Sequence, residues 1–242
     1  MKRTIVMVAL VLTALFATTV MGATQAIPLQ ADRTALDLVD TRGDALQFRV
    51  DIAELQAMDV ATEAGDFSRI VIPGFHTSMV DGSPELPMMN RLVEVPFGAR
   101  ARVEVVSSSR RVIRLADHGV TAPLMPHQPS VSKSADLDNL PFVYDRTAYA
   151  GNVSQDLVRV VELGMMRSRS IARVEISPVE YLPQSGELVV HEDIEFRVVF
   201  DGVDRNAEAD MLARTWSPFF SPVFQNVAGS RPNHMDVPDL VK

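Results

Sequence analysis

Period-two alternation of apolar and polar residues is the strongest constraint on the fold of this 242-residue chain. It is clearest over residues 46–52, 102–105, 172–177 and 194–200, where every second residue is aliphatic or aromatic. Successive side chains of a β-strand point to opposite faces, so this pattern gives each strand one dry and one wet face. Sheets with one wet face are typically antiparallel. The alternation therefore predicts an all-β, mostly antiparallel fold.

Turn-forming residues separate these segments and indicate how they connect. We expect residues 171–201 to form a three-strand antiparallel meander, with turns at residues 184–186 and at Glu192-Asp193. Residues 157–163 add a further strand. Many short strands with frequent turns predict a β-sandwich, with jelly-roll-like or barrel-like closure left open.

The rest of the chain shows weaker patterns. Residues 53–61 fit either two turns of helix or a twisted edge strand, and residues 208–215 fit a short helix. Residues 123–141 hold four prolines and no sustained alternation. They predict a long irregular stretch, and loops of this length tend to be functional or mobile. Residues 205–242 are interpreted as a connector that leaves the domain and is not part of its core.

The N-terminus has the pattern of a secretory signal peptide over residues 1–22. Lys2 and Arg3 precede an apolar run that ends in small residues, with cleavage expected before Ala23 or, as a second choice, after Ala26. The run is slightly short for a spanning helix, so no stable membrane span is expected after cleavage. We therefore predict an exported chain, periplasmic, cell-surface or extracellular, with its β-domain at residues 23–204.

Composition excludes several classes of function. The chain has no cysteine, which removes thiol nucleophiles, zinc thiolates and iron–sulfur ligands. The formal charge is −8 and becomes −10 once the two basic residues of the signal peptide are removed, which argues against nucleic-acid binding. With one Trp and three Tyr, aromatic stacking platforms are not expected.

Catalytic and metal-binding patterns are also missing. The five histidines are His76, His118, His127, His191 and His234. No pair has the one-turn spacing of a helical zinc site, so His118 and His127 are interpreted as solvated loop residues and His191 as an outward strand residue. Asp136 and Asp138 lack the ordered spacing of a calcium loop. We predict no metal, no cofactor and no catalytic residue in this chain.

Three clusters occur in a particular order along the chain. They are Gly82-Ser83-Pro84-Glu85-Leu86-Pro87, then residues 93–99 (VEVPFGA), then residues 173–183 (RVEISPVEYLP) followed by two valine-rich segments at 186–190 and 194–200. Taken singly, each has an ordinary structural reading, because prolines commonly bracket strand ends. Together they resemble the propeptide domain of gingipain-type cysteine peptidases over residues 45–201. The motif positions, with structural roles, are Gly82, Pro84, Leu86, Pro87, Pro96, Pro178, Tyr181 and Pro183.

The resemblance implies a β-sandwich that precedes a caspase-like catalytic domain, assists its folding and keeps it latent by covering the active-site cleft. The implied partner is that catalytic domain, in cis or in trans. The catalytic Cys and His of the family belong to the following domain, so this chain is expected not to be an enzyme, although it fits the front part of a cysteine endopeptidase precursor. The alternative is a stand-alone exported β-sandwich with an adhesive or structural role.

In basic-specific members of the family, a basic side chain of the propeptide enters the specificity pocket as a substrate does. Arg146 follows the long irregular stretch and is our candidate for this inhibitory anchor. The alternative interpretation is an exposed loop arginine paired with Asp145 or Asp156. Arg214 and Arg231, in the predicted connector, are candidate processing sites.

Overall fold

The computed structural model describes residues 24–41, 44–136, 139–166, 169–215 and 227–229. The predicted signal peptide, Asp138, Arg231 and His234 lie outside the described residues. The strands are β1 (Gln25–Pro28), β2 (Ala35–Asp40), β3 (Ala45–Asp51), β4 (Glu54–Thr62), β5 (Gly65–Val71), β6 (His76–Thr77), β7 (Pro87–Val95), β8 (Arg100–Arg114), β9 (Val158–Met166), β10 (Arg169–Ile176), β11 (Val179–Leu182) and β12 (Glu187–Asp201). The helices are α1 (Arg146–Ala150) and α2 (Arg205–Thr215), with a 3-10 turn at Leu115–His118.

The strands form three antiparallel sheets. Their orders are β1-β4-β5, β6-β7-β10-β9 and β11-β12-β3-β2, and β8 also pairs with β12. Apolar side chains from all three sheets meet in one core, among them Leu55, Val174 and Phe196. The prediction of an all-β, mostly antiparallel fold is confirmed. The arrangement of the described strands is sandwich-like and does not close into a barrel.

Strand β12 is the central element of the largest sheet. One edge of β12 pairs with β8 from Glu187 to Asp201. The other edge pairs first with β11 and then with β3. Phe196 lies directly opposite Phe48 of β3, and their rings stack with centroids 5.2 Å apart. Both side chains are 1% exposed, so this pair lies at the centre of the core.

The predicted meander over residues 171–201 is wrong in part. The antiparallel pairing of β11 with β12 and the turn between them are confirmed, whereas the first strand and the second turn differ from the prediction. Strand β10 ends before Pro178 and pairs with β7 and β9, not with β11. Strand β12 also continues through Glu192-Asp193, where a turn was expected. The register shifts there because two residues of β12 lie opposite the single residue Ser108, and Asp193 takes a positive φ of 48°. This β-bulge absorbs the turn-like dipeptide without ending the strand.

The ambiguous segment at 53–61 is strand β4, and it lies between β1 and β5 instead of at an edge. The predicted C-terminal helix is confirmed as α2, where the carboxylate of Asp204 accepts the backbone N–H groups of Asn206 and Ala207. Among the described residues, no helix combines the length and apolar character needed to cross a bilayer.

The predicted connector is not wholly separate from the core. Val227 and Ala228 are each 6% exposed. The N–H of Ala228 donates to Leu92 of β7, and its carbonyl accepts from Glu94. This short segment therefore adds to the edge of β7, which local sequence patterns did not indicate.

Replacing Phe196 with Ala removes the central ring pair, and we expect it to lower the free energy of unfolding by about 3–5 kcal/mol because a cavity is left behind. Urea denaturation of both proteins at neutral pH measures the difference. Val112→Ala is the control because Val112 is 59% exposed on β8. The control should stay within about 0.5 kcal/mol, and an equally small loss for Phe196→Ala would contradict the central role of the pair.

Candidate functional site

The irregular stretch predicted from the prolines is a long loop between the 3-10 turn and α1, described over residues 119–136 and 139–145. Its first part is held against β5 as a short strand would be. The N–H of Ser68 donates to Pro123 at 2.9 Å, and the N–H of Met125 donates to Ser68 at 2.8 Å. Leu124 between them is completely buried. The root of the loop is therefore part of the folded core.

Gly82 fastens the loop on both sides of its exposed part. Its N–H donates to His127 at 2.8 Å, and its carbonyl accepts the N–H of Asp145 at 3.0 Å. Gly82 has a φ of +75°, and a Cβ atom there would lie 2.9 Å from the Asp145 nitrogen. Glycine satisfies both demands because it tolerates positive φ and has no Cβ. We call these two hydrogen bonds the Gly82 clasp.

Further contacts reinforce the clasp. The side-chain amide of Gln128 accepts from the N–H of Val143 at 3.0 Å and donates to the Val143 carbonyl at 2.9 Å. Glu85 donates its N–H to Met125 at 2.9 Å, and its carboxylate pairs with Arg69 at 2.6 Å. The loop is thus supported by side chains as well as by the backbone.

The other motif positions lie at bends and strand ends. Pro84 forms an isolated antiparallel β-bridge with Pro126 of the loop. Leu86 is 3% exposed, and Pro87 begins β7. Pro96 follows β7, and its carbonyl accepts the N–H of Ala99. The carbonyl of Pro178 accepts the N–H of His191, and Tyr181 exchanges two backbone hydrogen bonds with Val153. Pro183 directly follows β11.

The exposed part of the loop presents a lysine. Residues 130–134 are all exposed. A turn closes where the N–H of Ala135 donates to the carbonyl of Ser132 at 3.0 Å, and this turn places Lys133 outward. Our sequence analysis did not select Lys133. A signal was present, because the chain's other lysines are Lys2 and Lys242, next to its two ends.

Arg146 is the first residue of α1 and is exposed. The carboxylate of Asp145 caps the helix by accepting the N–H of Thr147 at 2.9 Å. Within the described part of the chain, Arg146 forms no ion pair, so the pairing with Asp145 or Asp156 is not seen. Its guanidinium is available to a partner.

Beside Arg146 lies an open groove with a volume of about 500 Å³. We call it the aromatic groove; its lining is Ala64, Gly65, Asp66, Phe67, Pro123, Phe142, Tyr144 and Arg146. Phe142 stacks on Phe67 with ring centroids 5.4 Å apart, and Tyr144 stacks on Tyr149 with ring centroids 4.3 Å apart. These ring pairs are contacts within the folded domain, which the low Trp and Tyr content did not indicate.

Burial raises the pKa of Tyr149, whose hydroxyl donates to the Leu124 carbonyl at 2.5 Å. Burial also raises the pKa of Tyr144, while the positive charge of Arg146 lowers it. Both phenols therefore stay neutral near neutral pH, and they carry apolar ring faces and hydrogen-bonding hydroxyls, not charges.

Two histidine predictions are wrong. The side chain of His127 is only 18% exposed because the loop root holds it between Glu85, at 3.5 Å, and Asp81, at 3.9 Å. The side chain of His191 is 16% exposed and contacts Ser108 at 3.1 Å and Glu180 at 3.2 Å. Among the described residues, no group of three or more His, Asp or Glu side chains is arranged to hold a metal ion.

The model of the family described as Propeptide_C25 matches residues 32–213. The chain belongs to this propeptide family. Lys-gingipain of Porphyromonas gingivalis strain ATCC 33277 is 39% identical over 176 residues, which cover 72% of this chain and 10% of the relative. Lys-gingipain W83 of the same species matches equally well. The chain thus spans about a tenth of the length of these curated relatives.

Solved structures agree with this family assignment. A structure of gingipain K from P. gingivalis, described in terms of its zymogenic latency, has a TM-score of 0.71 and 37% identity and covers 75% of this chain and 100% of that one. A complex of P. gingivalis RgpB pro- and mature domains has a TM-score of 0.59 and 18% identity. The match covers 75% of this chain and 96% of that one, and it shows that the fold is shared. The gingipain-propeptide resemblance found in the three sequence clusters is confirmed.

Of the two candidate processing sites in this propeptide-family chain, Arg214 is described. It lies exposed in the last turn of α2. An exposed arginine at the end of a short helix is accessible to a protease once that turn opens.

Gly82→Ala tests the clasp against a matched control, Gly74→Ala. Both glycines have positive φ, so each substitution costs about 1–2 kcal/mol for the left-handed backbone. Only at Gly82 does the new Cβ meet backbone, because Gly74 has nothing within 4 Å. We expect Gly82→Ala to lower the free energy of unfolding by about 1–3 kcal/mol more than Gly74→Ala does.

Chemical denaturation measures this difference, and limited proteolysis should show faster cleavage within the long loop of Gly82→Ala. Equal stability and equal cleavage of the two variants would contradict the clasp.

Proposed function

We propose that this chain is the exported propeptide of a gingipain-type cysteine peptidase, which it helps to fold and keeps latent by covering the active-site cleft. Membership of the propeptide family supports the role, and the supported loop with its exposed basic side chain is the observation that carries the mechanism. The related gingipain K structure was described in terms of zymogenic latency. The domain acts by binding and does no catalysis itself.

The proposal includes the organisation predicted from the sequence. Residues 1–22 direct export, residues 23–204 form the inhibitory domain, and residues 205–242 connect to a peptidase domain and are cleaved after Arg214 or Arg231. The partner is the catalytic domain, in cis before cleavage or in trans after it.

The long loop is suited to present a substrate-like anchor. A basic side chain that enters an acidic specificity pocket gains a charge-assisted interaction, and a pre-organised loop loses little conformational entropy on binding. The Gly82 clasp supplies that pre-organisation. The side chain that enters the pocket must also protrude beyond its neighbours.

Two residues meet these requirements. Arg146, the anchor predicted from the sequence, is exposed and has no ion pair among the described residues. Lys133 is a second candidate because it lies at the turn that the loop presents outward. The similarity to Lys-gingipain favours Lys133 if the partner peptidase cleaves after lysine.

Inhibition of the separately produced Lys-gingipain catalytic domain by the purified chain tests the proposal. We expect Ala at the true anchor, Arg146 or Lys133, to raise the inhibition constant about 30-fold or more, the scale of truncating one partner of a buried charged pair. Arg110→Ala is the matched control because Arg110 is an exposed arginine on β8 and belongs to neither the loop nor α1.

An unchanged inhibition constant in both single variants and in the double variant would reject a basic anchor on this loop or at the start of α1. Absence of inhibition by the unaltered chain would reject the latency role and favour the stand-alone adhesive or structural sandwich.

A further inference from the structure

The aromatic groove exposes apolar surface beside the loop that carries Lys133. Phe67 is only 6% exposed, and Phe142 stacks on it. Tyr144 covers Tyr149 on one face yet remains 39% exposed. Leu140 and Val131 of the same loop are 42% and 48% exposed. Exposed aromatic and aliphatic side chains on a supported loop are typical of surfaces that bind another protein.

The groove is shaped before any partner arrives. The clasp and the Gln128–Val143 pair hold the segment that carries Phe142 and Tyr144, while Phe67 belongs to β5. Binding there would need little ordering of the chain, which is the property of surfaces that act as hot spots. Asp66 and Arg146 lie on the rim and form no ion pair with each other.

We propose that this groove binds one large apolar side chain of the peptidase catalytic domain, flanked by a carboxylate that pairs with Arg146. The inference rests on the proposed function with Lys133 as the anchor, which leaves Arg146 in the lining of the groove. The occupant follows from continuity, because Pro123, Phe142 and Tyr144 belong to the loop whose exposed turn carries Lys133. We therefore expect a partner that engages this turn to reach the groove as well. The guanidinium of Arg146 has no ion-pair partner among the residues that the structure describes, so it selects a negative group next to the apolar side chain.

Filling the groove tests the proposal without removing any contact of the folded domain. Ala64 is an exposed turn residue on the rim, so Ala64→Trp places a ring in the groove. Ala213→Trp is the matched control, because Ala213 is exposed on α2 and does not line the groove. Tyr144→Ser is the complementary variant that removes one wall. Thermal unfolding of each variant establishes that the domain stays folded.

The probe is the Lys-gingipain catalytic domain, and the readout is the inhibition constant. We expect Ala64→Trp and Tyr144→Ser each to raise it about 30-fold, the scale of losing a hot-spot contact. Ala213→Trp should leave it within about twofold, as expected of a residue outside the contact surface.

Unchanged inhibition constants for Ala64→Trp and Tyr144→Ser, with the unaltered chain still inhibiting, would overturn docking at the groove and leave the latency role intact. No inhibition by the unaltered chain would overturn both proposals. If the unaltered chain dimerises in size-exclusion chromatography, and Ala64→Trp abolishes dimerisation but not inhibition, the groove binds a second copy and our assignment is wrong.

Discussion

The pairing of β12 along both of its edges is the interaction on which the rest of this fold depends. Two of its partners come from distant parts of the sequence, β3 near the beginning and β8 in the middle, and the third, β11, immediately precedes it. The alternating buried side chains of β12 face the shared core, where Phe196 meets Phe48. Because the pairings with β3 and β8 are non-local, the core forms only when the chain as a whole is assembled.

That rigid base is what allows the long loop to be irregular and ordered at once. Irregular backbone near a core must satisfy its hydrogen bonds, and here Ser68, Gly82 and Glu85 provide the partners. The Gly-x-Pro-x-Leu-Pro motif therefore has a specific task. Its glycine joins two segments that lie on either side of the exposed turn, which explains in physical terms why this position requires a residue without a Cβ atom.

The proposed function divides its work between these two parts. The sandwich supplies stiffness, and the loop supplies a cation at its turn and an apolar groove beside it. Charge gives specificity and steering, whereas buried apolar contact gives most of the binding free energy. A latency domain needs both, because it must be recognised as a substrate is and yet remain bound.

Local patterns in the sequence were sufficient for the class of fold and for most strands. The alternation at residues 46–52 and 194–200 directly reports one buried face, and the order of the three clusters was sufficient to identify the propeptide family. Strand partners were not predictable in this way, because alternation shows which face is dry and not which strand lies alongside. Thus β10 and β11 were wrongly joined across Pro178, and the buried Glu192, paired with Arg111 at 2.6 Å, was mistaken for part of a turn.

The candidate site shows the same division. The sequence by itself determined the irregular stretch, the exposed Arg146 and the glycine at position 82. Only the tertiary structure decided that Gly82 joins His127 to Asp145, that His127 is enclosed by Glu85 and Asp81, and that Phe67 meets Phe142. These are contacts between residues far apart in the chain, and their energies depend on distances that exist only once the sheets have packed.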